Sequence, residues 1–88
     1  MYVIAIYDVN AKRDVKMLKL FRQYLFHVQG SVFEGELTPS KLNELEIKIQ
    51  ERMKDKSDDK VLIYKILSPK EIRKDSFGNQ KDIVTIIL

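Results

Sequence analysis

Asp8 is the one charged residue in an otherwise apolar and aromatic opening run, Met1-Tyr2-Val3-Ile4-Ala5-Ile6-Tyr7-Asp8-Val9. A carboxylate in such surroundings costs free energy unless a cation, a hydrogen-bond donor or a metal meets it. Shortly after it, Lys12, Lys16 and Lys19 fall at i, i+4 and i+7, with Arg22 alongside and Arg13 just off the stripe. Five cations stand there against a single anion, Asp14. An isolated amphipathic helix needs a solvated face in any case, but so one-sided a charge tilts this one toward phosphate. The residues by themselves favour the plainer roles for Asp8, which are to cap the following helix or to pair with a lysine.

Other chemistry-bearing residues are few. His27 is the only histidine, and at an expected helix end it reads as a partner of the helix dipole. Asp58 and Asp59 adjoin in the charged stretch 54–60 and read as solvated. The chain has no cysteine, which excludes disulfides and thiolate metal sites. A net charge of +3, from 16 basic and 13 acidic residues, is too mild to mark a nucleic-acid binder by sum alone. Eighty-eight residues, 44% of them hydrophobic, with three Gly and two Pro, fit one folded domain over 1–88. No apolar run has the length of a membrane span, and the opening lacks a basic leader and a cleavage site. A soluble, cytoplasmic protein without a membrane partner is the expectation.

The elements that must position these residues follow from periodicity. The opening run has the β-branched and aromatic composition of a strand covered on both faces, hence a central one. Asn10 is the expected N-cap of a helix over 11–26, whose buried face is Val15, Leu18, Phe21 and Leu25, broadened by Met17 and Tyr24. His27 and Val28 are expected to close it. Residues 28–37 are strand-like, with Val32, Glu34 and Glu36 on one face and Phe33 and Leu37 on the other; Gly30 marks a bend, a bulge or a tight turn between two short strands. Thr38-Pro39 opens a second helix, with Leu42, Leu45, Ile49 and Met53 inward and Lys41, Glu44, Lys48 and Glu51 alternating in sign outside. Residues 61–67 form a mostly apolar strand expected well inside the sheet, stopped by Ser68-Pro69. Residues 76–79 read as a turn, and 82–88 as a terminal strand that must pair with its own sheet or with a second subunit. The order predicts an α+β, ferredoxin-like β-α-β-β-α-β sandwich with an extra C-terminal strand.

Tyr7-Asp8-Val9, the basic entry to the first helix, Val28-Gln29-Gly30-Ser31-Val32-Phe33-Glu34-Gly35-Glu36-Leu37, Val61-Leu62-Ile63-Tyr64-Lys65-Ile66 and the apolar C-terminal strand follow one another in a specific order. Over nearly its whole length the chain thereby resembles the CRISPR-associated protein two family. The resemblance implies a homodimer whose terminal strands cross over. It implies a metal-dependent endonuclease acting on single-stranded RNA or double-stranded DNA, and a partner of the CRISPR integrase in inserting new spacer DNA for antiviral defence. It assigns Asp8 as the metal-binding residue, for Mg2+ or Mn2+, and carries Tyr7, Arg13, Ser31 and Phe33 over as its catalytic companions. Lys12, Arg13, Lys16, Lys19 and Arg22 are then the nucleic-acid-binding set. Many relatives have two arginines where this chain has Lys12-Arg13. Lysine is a point charge where arginine is a planar fork, so the change spares phosphate binding more than transition-state positioning. A second departure is Tyr24-Leu25, where many relatives have Tyr-Gly.

Metal-assisted phosphodiester hydrolysis needs a cation that polarises the phosphate and helps generate hydroxide. Magnesium is commonly held by one or two carboxylates, with water and phosphate oxygens filling its shell. One chain offers Asp8 alone in a suitable position, whereas a two-fold dimer would supply two. Phe33 fits a core position better than a base-stacking one. An RNA-binding sheet of the RRM type would need a Lys/Arg-Gly-Phe/Tyr run that the sequence lacks. The competing class is a non-catalytic dimeric adaptor that binds duplex DNA and scaffolds the integrase.

Overall fold

The structure, a computed structural model, describes residues 1–53 and 58–78. Its elements are β1 (Tyr2–Asp8), α1 (Ala11–Arg22), β2 (Phe26–Gln29), β3 (Val32–Glu36), α2 (Pro39–Met53) and β4 (Lys60–Ile66), followed by a short 3-10 turn, Pro69–Glu71. The sheet is antiparallel in the order β2-β3-β1-β4, so β1 is central as expected. This is the α+β, ferredoxin-like arrangement. The expected terminal strand, 82–88, lies outside the described residues.

Alternation along β1 decides the two faces of the sheet. Val3, Ala5 and Tyr7 point toward the helices and join Phe33, Met17, Leu20, Phe21, Leu42, Leu45 and Ile49 in one core. Within it Phe21 stacks on Tyr7 and on Phe33, with centroids 5.5 and 5.4 Å apart. Ile4, Ile6 and Asp8 face the other way, as do their β4 neighbours Tyr64, Leu62 and Lys60. On that side Tyr2 donates to Glu34 at 2.7 Å, and Lys74 reaches the same carboxylate at 2.6 Å, so the segment after the 3-10 turn lies against this face.

Helix α1 starts where Asn10 Oδ1 accepts from the Lys12 amide at 2.9 Å, but it ends at Arg22, short of the expected 26. Leu25 N donates to Phe21 O at 2.8 Å, which turns the chain and sends Phe26 into β2. Pairing with β3 overrides the helix propensity of this stretch. His27 is therefore a strand residue and no dipole partner: its ring stacks on Phe33 at 4.6 Å and Nε2 donates to the Gly30 carbonyl at 2.7 Å. Val15, expected inward, is 56% exposed. It lies two positions before Met17, about 200° around a helix of 3.6 residues per turn, while Met17, Leu20 and Phe21 form the buried stripe.

Residues 28–37 resolve into two strands. Gly30 has φ +46° in the connection, a left-handed conformation that favours glycine, and the pairing shifts register between His27 and Gln29. Helix α2 matches the sequence reading: Thr38 Oγ1 accepts from the Lys41 amide at 3.1 Å, and Leu42, Leu45 and Ile49 are buried. Strand β4 is a correction. Among the described residues it has β1 on one side only, and Leu62 and Tyr64 are about half exposed. It reads as apolar because both faces carry hydrophobic residues, although the described residues bury only one. No helix among the described residues is long and apolar enough to cross a membrane.

Candidate nucleic-acid interface and strand-end aspartate

The centre of β1 is buried and its end is not. Asp8 is exposed, which removes the desolvation cost expected for it, and pairs in register with the likewise exposed Lys60 of β4. It does not cap α1, since Asn10 does. Its carboxylate makes no hydrogen bond or ion pair among the described residues.

The four companions implied by resemblance divide between two places. Tyr7 is 3% and Phe33 0% exposed, on the helix side of the sheet, because consecutive strand residues point to opposite faces. Burial pushes the Tyr7 hydroxyl above its usual range, and the nearby Asp14 carboxylate adds to this, while hydrogen bonding to Ser31 and the Arg22 charge oppose it. Ser31 also accepts the Tyr7 amide through its carbonyl at 3.1 Å. Tyr7, Ser31 and Phe33 thus form one packed group behind β1. Asp8 stands on the other side, and Phe33 is a core residue.

Arg13 is held by a residue that the sequence reading set aside. Asp59, read as solvated, has a side chain only 1% exposed. It accepts Arg13 Nε at 2.6 Å and Nη2 at 2.8 Å, and its Oδ1 also accepts the Asn10 amide at 3.1 Å. A buried carboxylate requires such partners, and a two-pronged arginine is the best matched of them. The hydrogen bond to Asp59 is the main reason the guanidinium holds its proton even more firmly than usual. Nothing in the pair Asp58-Asp59 signals which acid is buried. The answer comes from the register: Asp8 opposite Lys60 brings the preceding Asp59 beside the turn at Asn10.

The remaining cations of the α1 set, Lys12, Lys16, Lys19 and Arg22, are all exposed, and none forms an ion pair with a described residue. On α2, by contrast, Lys41 and Lys48 share an acidic partner. Lys41 and Lys48 lie 3.4 and 3.5 Å from Glu44, and Tyr24 donates to Glu44 at 3.0 Å. The Tyr24 bond leads the effects that hold the Glu44 carboxyl below the usual carboxylate range.

Among the described residues no three acids or histidines gather into a metal cage. Asp8 nevertheless fits magnesium, whose shell needs only one or two carboxylates beside water and phosphate.

These features can be set beside known proteins. The sequence profile of the family described as "CRISPR associated protein Cas2" matches residues 1–74. A Thermotoga maritima protein named CRISPR-associated endoribonuclease Cas2 is 44% identical over 81 residues, 92% of this chain and 92% of that protein. An Archaeoglobus fulgidus protein, CRISPR-associated endoribonuclease Cas2 2, is 37% identical over 82 residues, covering 93% and 88%. A solved structure described as a crystal structure of Cas2 matches with TM-score 0.82 and 43% identity over 100% of this chain and 98% of that one. Streptococcus pyogenes Cas2 at pH 6.5 gives TM-score 0.75 and 28% identity over 89% and 100%. Sequence and fold agree over most of the length: the chain belongs to the Cas2 family of CRISPR-associated proteins.

Proposed function

We propose that this chain is a dimeric, metal-dependent endonuclease of a cytoplasmic CRISPR system, hydrolysing phosphodiester bonds of single-stranded RNA, duplex DNA or both. Its relatives are named endoribonucleases. The observation that carries the reading is Asp8: an exposed carboxylate, without a partner among the described residues, at the end of the central strand and just ahead of a helix whose cations other than Arg13 form no ion pair with a described residue.

Dimerisation supplies what one chain lacks. Asp8 shares the open face of the sheet with Ile4, Ile6, Leu62 and Tyr64. A second copy covering that apolar face would bring the two Asp8 side chains toward each other, and residues 82–88 would extend the partner's sheet. The two carboxylates would hold Mg2+ or Mn2+, which when bound polarises phosphate and acidifies water. Arg13, fixed by Asp59, contacts a phosphate, and Lys12, Lys16, Lys19 and Arg22 hold the backbone on either side. Tyr7, Ser31 and Phe33 act from behind β1, setting the position of its end.

The second reading is a non-catalytic adaptor that bridges the CRISPR integrase along incoming DNA during spacer insertion. The burial of Tyr7 and Phe33 favours it, because it leaves Asp8 as the only member of the implied catalytic set on the open sheet face. Asp8→Asn separates the two. The nuclease reading expects loss of metal-dependent cleavage of RNA and duplex DNA with nucleic-acid binding kept. Wild-type protein that cuts neither substrate with magnesium or manganese across a pH range, yet supports spacer insertion, establishes the adaptor instead.

A further inference from the structure

A cleft of about 330 Å3 opens between α1 and the last turn of α2, lined among the described residues by Arg13, Lys16, Met17 and Arg52. Three of these four residues are cations. Met17 is buried and gives the cleft an apolar floor. Arg52 is the one cation of α2 outside the Lys41–Glu44–Lys48 group: it forms no ion pair with a described residue and donates only to the Lys48 carbonyl, at 3.3 Å. A cation at a helix C-terminus is a normal dipole partner. That role does not require it to share a cleft with two cations of the opposite helix.

We propose that this cleft is a phosphate subsite, where Arg13 and Lys16 of α1 and Arg52 of α2 grip one phosphodiester of a bound nucleic-acid backbone. The proposal rests on the nucleic-acid reading of the α1 face and extends it onto α2. Three cations line one cleft and only Arg13 has an acidic partner, so an anion entering it meets a net attraction. The one described acid that bonds a lining side chain, Asp59, meets Arg13 through Nε and Nη2 and leaves Nη1 outside the pair. Asp59 therefore fixes the direction of the guanidinium, and the cleft keeps its positive excess. Guanidinium forks match phosphate oxygens two at a time, and Lys16 adds a point charge that tolerates small shifts of the strand.

The test measures affinity of the full-length protein for a labelled DNA duplex between about 50 and 200 mM salt. Each phosphate contact contributes about 0.9 to the slope of log affinity against log salt. Arg52→Ala is expected to flatten the slope by about that amount, and Arg52→Lys to restore part of it. Lys41→Ala removes the same charge from the first turn of α2 and is expected to leave the slope unchanged. Far-UV circular dichroism confirms that each variant is folded. If Lys19→Ala flattens the slope and Arg52→Ala does not, the cleft is no subsite while the α1 reading stands. If neither variant has an effect, the α1 reading fails together with the cleft. Equal flattening by Arg52→Ala and Lys41→Ala would show an unspecific charge effect and overturn the proposal. So would inorganic phosphate binding that Arg52→Ala abolishes without changing duplex affinity.

Discussion

Tyr2 and Glu34 show how a polar pair survives on a face built largely from Ile4, Ile6, Leu62 and Tyr64. Tyr2 is 3% and Glu34 8% exposed, and each satisfies the other, with Lys74 completing the carboxylate's bonding. Burial, followed by the hydrogen bond to Glu34 and the charges of Glu34 and Glu36, raises the Tyr2 hydroxyl well above the ordinary tyrosine range. A group that keeps its proton longer when folded contributes stability that is complete below its unfolded pKa of about 10 and lost as pH rises beyond it. Urea unfolding is therefore expected to give stability that falls above about pH 10. The fall should be shallower in Tyr2→Phe, which has no proton to lose. The same variant should be less stable near neutrality by about 1–3 kcal/mol, since Glu34 loses a buried donor. Identical alkaline slopes in the two proteins would contradict the assignment.

At the scale of elements, the β2–β3 hairpin turns on Gly30. Its φ of +46° is left-handed, and a Cβ there would meet nothing within 4 Å, so a substitution acts on the backbone alone. Gly30→Ala is expected to cost roughly 1–2 kcal/mol, and Gly30→Asn less, read as shifts of the urea midpoint. A neutral Gly30→Ala would mean the turn does not need that conformation. Both helices and the central strand were legible because strong local signals mark them: Asn10 and Thr38-Pro39 as starts, Leu42, Leu45 and Ile49 at helical spacing, and the β-branched run of β1. The end of α1 was not legible. Gln23-Tyr24-Leu25-Phe26 contains no breaker, and only pairing with β3 stops the helix there. Asp59 was hidden for a related reason, because its burial depends on a strand register that joins residues far apart in sequence. At the site, the sequence picked out Asp8 and the α1 cations, whereas the direction each strand residue faces required the assembled sheet.

At the scale of the molecule, the helices cover one side of the sheet and leave apolar side chains on the other. Leu62 is 52% exposed, Tyr64 53% and Phe26 48%. Exposed apolar surface of this kind marks an interface, and the proposed dimer places a second copy on it. Leu62→Glu is expected to shift the protein from dimer to monomer in sedimentation velocity at micromolar concentration. Ile47→Glu, a change at an exposed hydrophobic on α2, should leave the dimer intact. If Leu62→Glu sediments as wild type does, the open face is not where the copies meet.

The central position of β1 also has a consequence for synthesis. This strand leaves the ribosome ahead of both its partners, Val32–Glu36 by about thirty residues and Lys60–Ile66 by nearly sixty. Until then Tyr2–Val9 is an apolar segment with both edges unpaired, the kind that adheres to its own neighbours on a polysome. Closing the sheet around β1 must wait for β4, because one of its two partners lies nearly sixty residues further along the chain.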